Sequence, residues 1–268
     1  MARRGARRLE DGGADADRER PTPAARRSPA GGDIWIDEGP VERQSTRSRP
    51  GRGSGGARER SRLPPEVVEE LARHGGSRGE RDAKRLAEAS RAYRRERYAD
   101  ARRLLEPLAR NAPGVAGVRE LYGLSLYRLG RWKAALRELE AAAHQAGSFD
   151  QHPVRADCHR ALGQRAGVQR LWDELRLSGA PPPVMVEGRI VAASSLADVG
   201  DVDGAIRLLE QGPVEVRSPR PHHLRLWYVL ATLYEQVGDV ARARHLLAQV
   251  LDHDPDLPGA RERYQSLD

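Results

Sequence analysis

Cysteine is almost missing from this chain. Cys158 is the only one in 268 residues, so no intramolecular disulfide can form, and the composition fits a reducing compartment. Lysine and asparagine are nearly as scarce: Lys84 and Lys133 are the only lysines among 46 basic residues, and Asn111 is the only asparagine. A skew of that kind points to GC-rich coding, and it limits what an abundance of arginine says by itself. No run approaches the roughly 18 apolar residues a membrane helix needs. The paired arginines of the opening MARRGARRLEDGG look like an export signal, but acids and glycines stand where its apolar core belongs. These absences predict a cytoplasmic protein with no membrane span.

What is present divides unevenly. Hydrophobic residues make up only 38% and charged residues 32%, so part of the chain is expected to stay unpacked. Of the net charge of +7, most falls in residues 1–64, which hold 15 arginines against 10 acids. The stretches in this region have few apolar groups and no period of 2 or 3.6. They cannot bury enough surface to offset the entropy of ordering, which predicts a disordered Arg/Gly/Pro-rich leader over residues 1–63 and a packed domain over 64–268.

Two leader segments stand out. Ile34, Trp35 and Ile36 form an apolar hook flanked by Asp33, Asp37 and Glu38, a pattern that suits an extended segment docking into a groove. A short apolar stretch without a role is the plainer alternative. PGRGSGGARERSR is similar to RG-rich segments that contact RNA through phosphate attraction and arginine stacking. No aromatic residue lies between Arg43 and Arg62, so half of that argument is missing, and a solvated linker is the default.

From residue 80 onward the chain repeats. Aligned on Ala101, Ala135, Leu171, Ala205 and Ala243, the spacings are 34, 36, 34 and 38, and each anchor is followed four residues later by leucine: Leu105, Leu139, Leu175, Leu209 and Leu247. Such i, i+4 pairs share a helix face. Twelve residues before the anchors come Ala89, Gly123, His159, Ala193 and Ala231, mostly small, as a close approach between helices requires. Gly130, Gly200 and Gly238 precede their anchors by five residues, where a turn between antiparallel helices tolerates positive φ. Pro113, Pro183 and Pro255 are expected to end three second helices.

The pattern resembles the tetratricopeptide repeat, most closely in LWYVLATLYEQVGDVARARHLLAQVLDHDP, where Trp227, Leu230, Ala231, Tyr234, Gly238, Ala243, Leu247 and Pro255 hold the motif's spacings. ADCHRALGQRAGVQRLWDELRLSGAPP departs most, with Leu171 for the seam alanine and His159 for the small residue, and predicts a splayed or bent third hairpin. The whole chain also resembles bacterial proteins that join a basic disordered leader to this repeat domain, a resemblance that implies no activity. It implies an all-α fold: an α-α superhelix, a solenoid of about five hairpins whose first helices line an extended concave surface. Residues 64–74 and 258–268 read as polar capping helices.

Chemistry is sparse. His144, His152, Cys158 and His159 match no common zinc spacing, so no metal and no cofactor is expected. His222 and His223 open a helix and are expected to be solvated. No phosphate loop precedes a strand, and no nucleophile elbow survives the helical reading, so no catalytic residue is assigned and no enzyme is expected. Trp132, Trp172 and Trp227 are expected in the core.

The inner wall is more informative. Tyr93 with Arg94 and Tyr127 with Arg128 recur 34 residues apart on successive first helices, a two-rung ladder that Arg160 extends. It suits an apolar residue flanked by acids, which the hook is. The competing reading has the tyrosines packed between repeats and the arginines solvated. Chaperone-clamp members of the family use Lys, Arg and Asn, whereas this wall shows Leu86, Ser90, Glu120, Leu124, Ala156 and Arg160 and disfavours that role. The sequence thus predicts a noncatalytic scaffold or adaptor for a protein or peptide partner, with an RNA-associated protein acting through the leader as the alternative. It leaves the oligomeric state open.

Overall fold

The computed structural model describes residues 65–75 and 78–267. The leader, the docking hook at Ile34, Trp35 and Ile36, the stretch expected to contact RNA and the boundary at 63/64 lie outside the described residues.

Among the described residues the chain forms twelve helices and no strand. A leading helix α1 (Pro65–Gly75) precedes five hairpins, and a closing helix α12 (Ala260–Ser266) follows them. The hairpins pair α2 (Gly79–Arg94) with α3 (Tyr98–Asn111), α4 (Ala116–Arg128) with α5 (Trp132–Ala146), and α6 (His152–Ala161) with α7 (Arg165–Leu177). They continue with α8 (Pro182–Ala197) and α9 (Val202–Glu210), then α10 (Pro221–Gln236) and α11 (Val240–His253). Each helix packs on its neighbours in sequence, and first helices also meet the next first helix, as α6 meets α8 and α8 meets α10. That pattern of purely near-neighbour packing is a solenoid.

The repeat positions explain the packing. Ala101, Ala135, Ala205 and Ala243 are fully buried, as are Leu105, Leu139, Leu209 and Leu247 one turn on. Each such leucine contributes about 1.5–3 kcal/mol by leaving water. The facing position must be small: a Cβ on Gly123 would stand 2.6 Å from the Leu139 side chain. Every first helix ends in the same closure, in which a residue in the left-handed region lets the next N–H reach back five residues. These residues are Glu96, Gly130, Gly163, Gly200 and Gly238, and the five N–H donors bond to Ala92, Leu126, His159, Leu196 and Tyr234 over 2.8–3.1 Å.

That closure corrects the third repeat. Gly163 lies 33 residues after Gly130 and 37 before Gly200, so the anchor of the third hairpin is Val168 rather than Leu171. Val168 is 2% exposed, and Trp172 takes the place expected for Leu175. Twelve residues before Val168 stands Ala156, which makes that position small in all five repeats. His159 lies three residues further on, at the site Leu126 fills in the second hairpin. Its ring is accommodated by Gly167, where a Cβ would approach it to 2.5 Å, and its Nδ1 pairs with Gln164 Oε1 at 2.7 Å. The features that predicted a splay come from the shifted register, and α6 packs directly on α7.

At the two ends, α1 packs on α2 through fully buried Leu71, and α12 packs on α11 with Ala260 buried and Arg244 4.7 Å above the Tyr264 ring.

Candidate partner-binding surface

The first helices bring their C-terminal ends together. Tyr93 and Tyr127 each lie three residues before a turn closure, and in the corrected register Arg160 occupies that same rung rather than the arginine rung. Tyr93 and Tyr127 are only 6% and 4% exposed. The Tyr93 ring meets Tyr98 edge-on at 5.3 Å, and the Tyr127 ring meets Trp132 in the same way at 5.3 Å. Both tyrosines are therefore buried, each ring against an aromatic residue of its own hairpin.

The guanidinium groups are placed differently. Arg94 is exposed and donates from Nη1 to Ser90 Oγ at 2.8 Å. Arg128 lies with its Cζ 4.5 Å above the ring of Tyr98, in the preceding hairpin. Arg160 donates from Nε to Asp157 Oδ1 at 2.7 Å and from Nη1 to Asp198 Oδ2 at 3.1 Å. Burial works against the Arg160 charge, but Asp157 and Asp198 outweigh it and raise its pKa above the ordinary arginine value. All three arginines lie in or beside the last turn of a helix, where the backbone carbonyls favour positive charge.

Polar ties join successive first helices along this surface. Tyr127 donates its hydroxyl to Asp157 Oδ2 at 2.7 Å, and Gln151 donates to Glu120 at 2.8 Å. Glu187 of α8 is ion-paired with Arg225 of α10, both side chains nearly buried, and Glu235 takes Arg263 of α12 at 2.7 Å. Sequence reasoning missed Asp157, Asp198, Glu187 and Arg225. Each bonds across 30 to 38 residues, and only the register of the stack brings such partners together.

The remaining candidates are structural in their surroundings. Trp172 and Trp227 are buried, Trp227 donates its indole N–H to the Val214 carbonyl at 2.8 Å, and Trp132 is half-buried. Cys158 is fully buried, and burial, with help from Asp157 and Glu140, pushes its thiol up to about 12, so it holds its proton at neutral pH. His152 pairs with Glu174 at 3.2 Å. Among the described residues no three His, Cys, Asp or Glu side chains are grouped to hold a metal ion. No helix among them is long and apolar enough to cross a membrane. His222, expected to be solvated, is buried: burial first, then His223, Arg225 and Arg220, push its pKa down to about 4.

Two tetratricopeptide repeat family models match the chain, one over residues 86–151 and one over residues 196–267. The stretch between them holds the third hairpin, whose anchor is Val168 where the other repeats have alanine. No curated protein matches in sequence. Among solved structures, TTC0263, a tetratricopeptide repeat protein of Thermus thermophilus, is similar at 18% identity and a TM-score of 0.55 over 69% of this chain and 98% of that one. That similarity shows the fold. YrrB, described as a tetratricopeptide repeat protein with an unusual peptide-binding site, aligns at 16% identity and a TM-score of 0.43, covering 74% of this chain and 99% of its own. The apo quorum sensor NprR of B. thuringiensis aligns at 14% identity and a TM-score of 0.41, with coverages of 75% and 78%.

Proposed function

The chain belongs to the tetratricopeptide repeat family, and from that premise we propose that it is a noncatalytic scaffold whose first helices hold an extended peptide bearing an apolar residue between carboxylates. The family fold serves protein–protein interaction in general. The finer reading rests on one observation: Arg94, Arg128 and Arg160 stand at the ends of three successive first helices, and a neighbouring side chain holds each one in place. A guanidinium fixed in this way loses less rotamer freedom when it meets a carboxylate, so more of the contact appears as affinity. Tyr93 packs against the Tyr98 ring that carries Arg128, and Tyr127 bonds to the Asp157 that orients Arg160.

The segment around Ile34, Trp35 and Ile36 has the matching chemistry and supplies the probe. A dye-labelled peptide of residues 31–40 is titrated, by fluorescence anisotropy, into the full chain in which those three residues are serine. Saturable binding is expected, weakened at least roughly tenfold by Arg94→Glu combined with Arg128→Glu. An isotherm without saturation, or one the reversals leave unchanged, refutes this reading.

A further inference from the structure

The turns that join the two helices of each hairpin carry a pattern the peptide reading does not use. The second turn, RLGRWKA at 128–134, and the fourth, DVGDVDG at 198–204, match position by position around their glycines. Arginine or lysine stands at three positions of the second turn where the fourth has aspartate: Arg128 against Asp198, Arg131 against Asp201, and Lys133 against Asp203. Apolar residues stand at the same two places in both, Leu129 against Val199 and Trp132 against Val202. One turn is +3, the other is −3, and the third turn lies midway between them.

These turns lie side by side along one edge of the stack. Arg128 reaches Tyr98 beside the first turn, Tyr127 reaches Asp157 of the third hairpin, and Arg160 of the third reaches Asp198 of the fourth. Leu129 and Val199 are 37% and 50% exposed. Asp198 is already paired with Arg160 and Asp201 caps its own helix, but exposed Lys133 and Asp203 still give the edge that carries Leu129 and Val199 a basic end and an acidic end. A twofold contact requires such an arrangement, because an isologous interface must be complementary to itself.

We propose that the chain pairs with a second copy of itself through this edge, the two solenoids antiparallel about a twofold axis at the third turn, at Leu162 and Gly163. The second turn of each copy then meets the fourth turn of the other. Leu129 and Trp132 cover Val199 and Val202, and Lys133 faces Asp203 of the other copy twice over. The charges set the antiparallel register, since a parallel pairing would bring like charges together. Arg128 belongs to both surfaces, so the test that separates the two readings reverses only Lys133 and Asp203, which the peptide reading does not use.

The test is sedimentation of the full chain and of two variants, Lys133→Glu and Asp203→Lys, chosen because both side chains are exposed and neither is a helix cap. The wild-type chain is expected at twice its 29.7 kDa mass, loosening as salt is raised. Each variant alone is expected at the monomer mass with an unchanged far-UV circular dichroism spectrum. An equimolar mixture of the two is expected to return to the dimer mass, because the carboxylate introduced at position 133 of one variant then faces the ammonium introduced at position 203 of the other, while the remaining Lys133 still faces the remaining Asp203. A wild-type chain that remains monomeric at every concentration overturns the proposal. So does a dimer indifferent to both reversals, or a mixture of folded variants that stays monomeric.

Discussion

The Tyr127 hydroxyl donates to Asp157 Oδ2 at 2.7 Å, and Arg160 occupies the other oxygen of the same carboxylate at 2.7 Å. Asp157 is 5% exposed, so its charge has little water to fall back on. Tyr127→Phe keeps the ring against Trp132 and removes only the donor. It is expected to cost about 1–3 kcal/mol, the range for leaving a buried acceptor short of a partner, read as a lower urea midpoint at an unchanged m-value. A change within about 0.5 kcal/mol would mean that water already serves Asp157 there.

The fit of His159 against Gly167 makes a prediction whose sign is informative. An alanine in place of a helical glycine ordinarily stabilises by about 1 kcal/mol. At Gly167 the added Cβ would lie 2.5 Å from the imidazole, so Gly167→Ala is expected to destabilise by roughly 1–3 kcal/mol instead. Adding His159→Ala should make that penalty disappear in a double-mutant cycle of thermal unfolding. A stabilising Gly167→Ala would show that the ring has room to move.

The same residues show how far sequence carries. The repeat was legible because small residues, leucines and turn glycines are each required by local geometry, and they recur together. The third repeat was misread by three residues because Leu171 and Leu175 mimic the seam, while the true anchor, Val168, carries a β-branched residue where the other repeats have alanine. Gly163 held the right answer, as the only glycine in that unit at the closure. On the candidate surface, the Tyr-Arg recurrence was visible, but the burial of Tyr93 and Tyr127 was not. Both bury their rings against aromatic residues just past their own turns, Tyr98 and Trp132, and which way a tyrosine faces depends on that packing.

Glu96 is the exception among the turn closures. It adopts φ +58° where the other four hairpins use glycine, a conformation that costs an L-residue with a Cβ roughly 1 kcal/mol. Glu96→Gly relieves that strain at an exposed position, at some cost in unfolded-chain entropy. A net gain of up to about 1 kcal/mol is expected, with a raised melting temperature. A loss on thermal denaturation would mean that the carboxylate contributes more than the backbone strain costs.

His222 gives the described domain a dependence on acid. The unfolded chain takes up a proton at this imidazole near 6.5, while in the fold burial and the nearby His223, Arg225 and Arg220 hold it down to about 4. The folded pKa is the lower one, so the contribution of neutral His222 is complete above about 6.5 and is lost as pH falls toward 4. The unfolded state binds the extra proton throughout that window. The shift sets a ceiling of about 3 kcal/mol on the effect. His152, also held down chiefly by burial, adds a contribution of the same sign. Comparing the wild-type chain with His222→Gln isolates the one group, because His152 and the carboxylates titrate in both. Their difference in unfolding free energy should be flat above neutrality and shift in the variant's favour as pH falls from 6.5 to 4. If urea titrations across that range give a constant difference, His222 is not the group that takes up the proton.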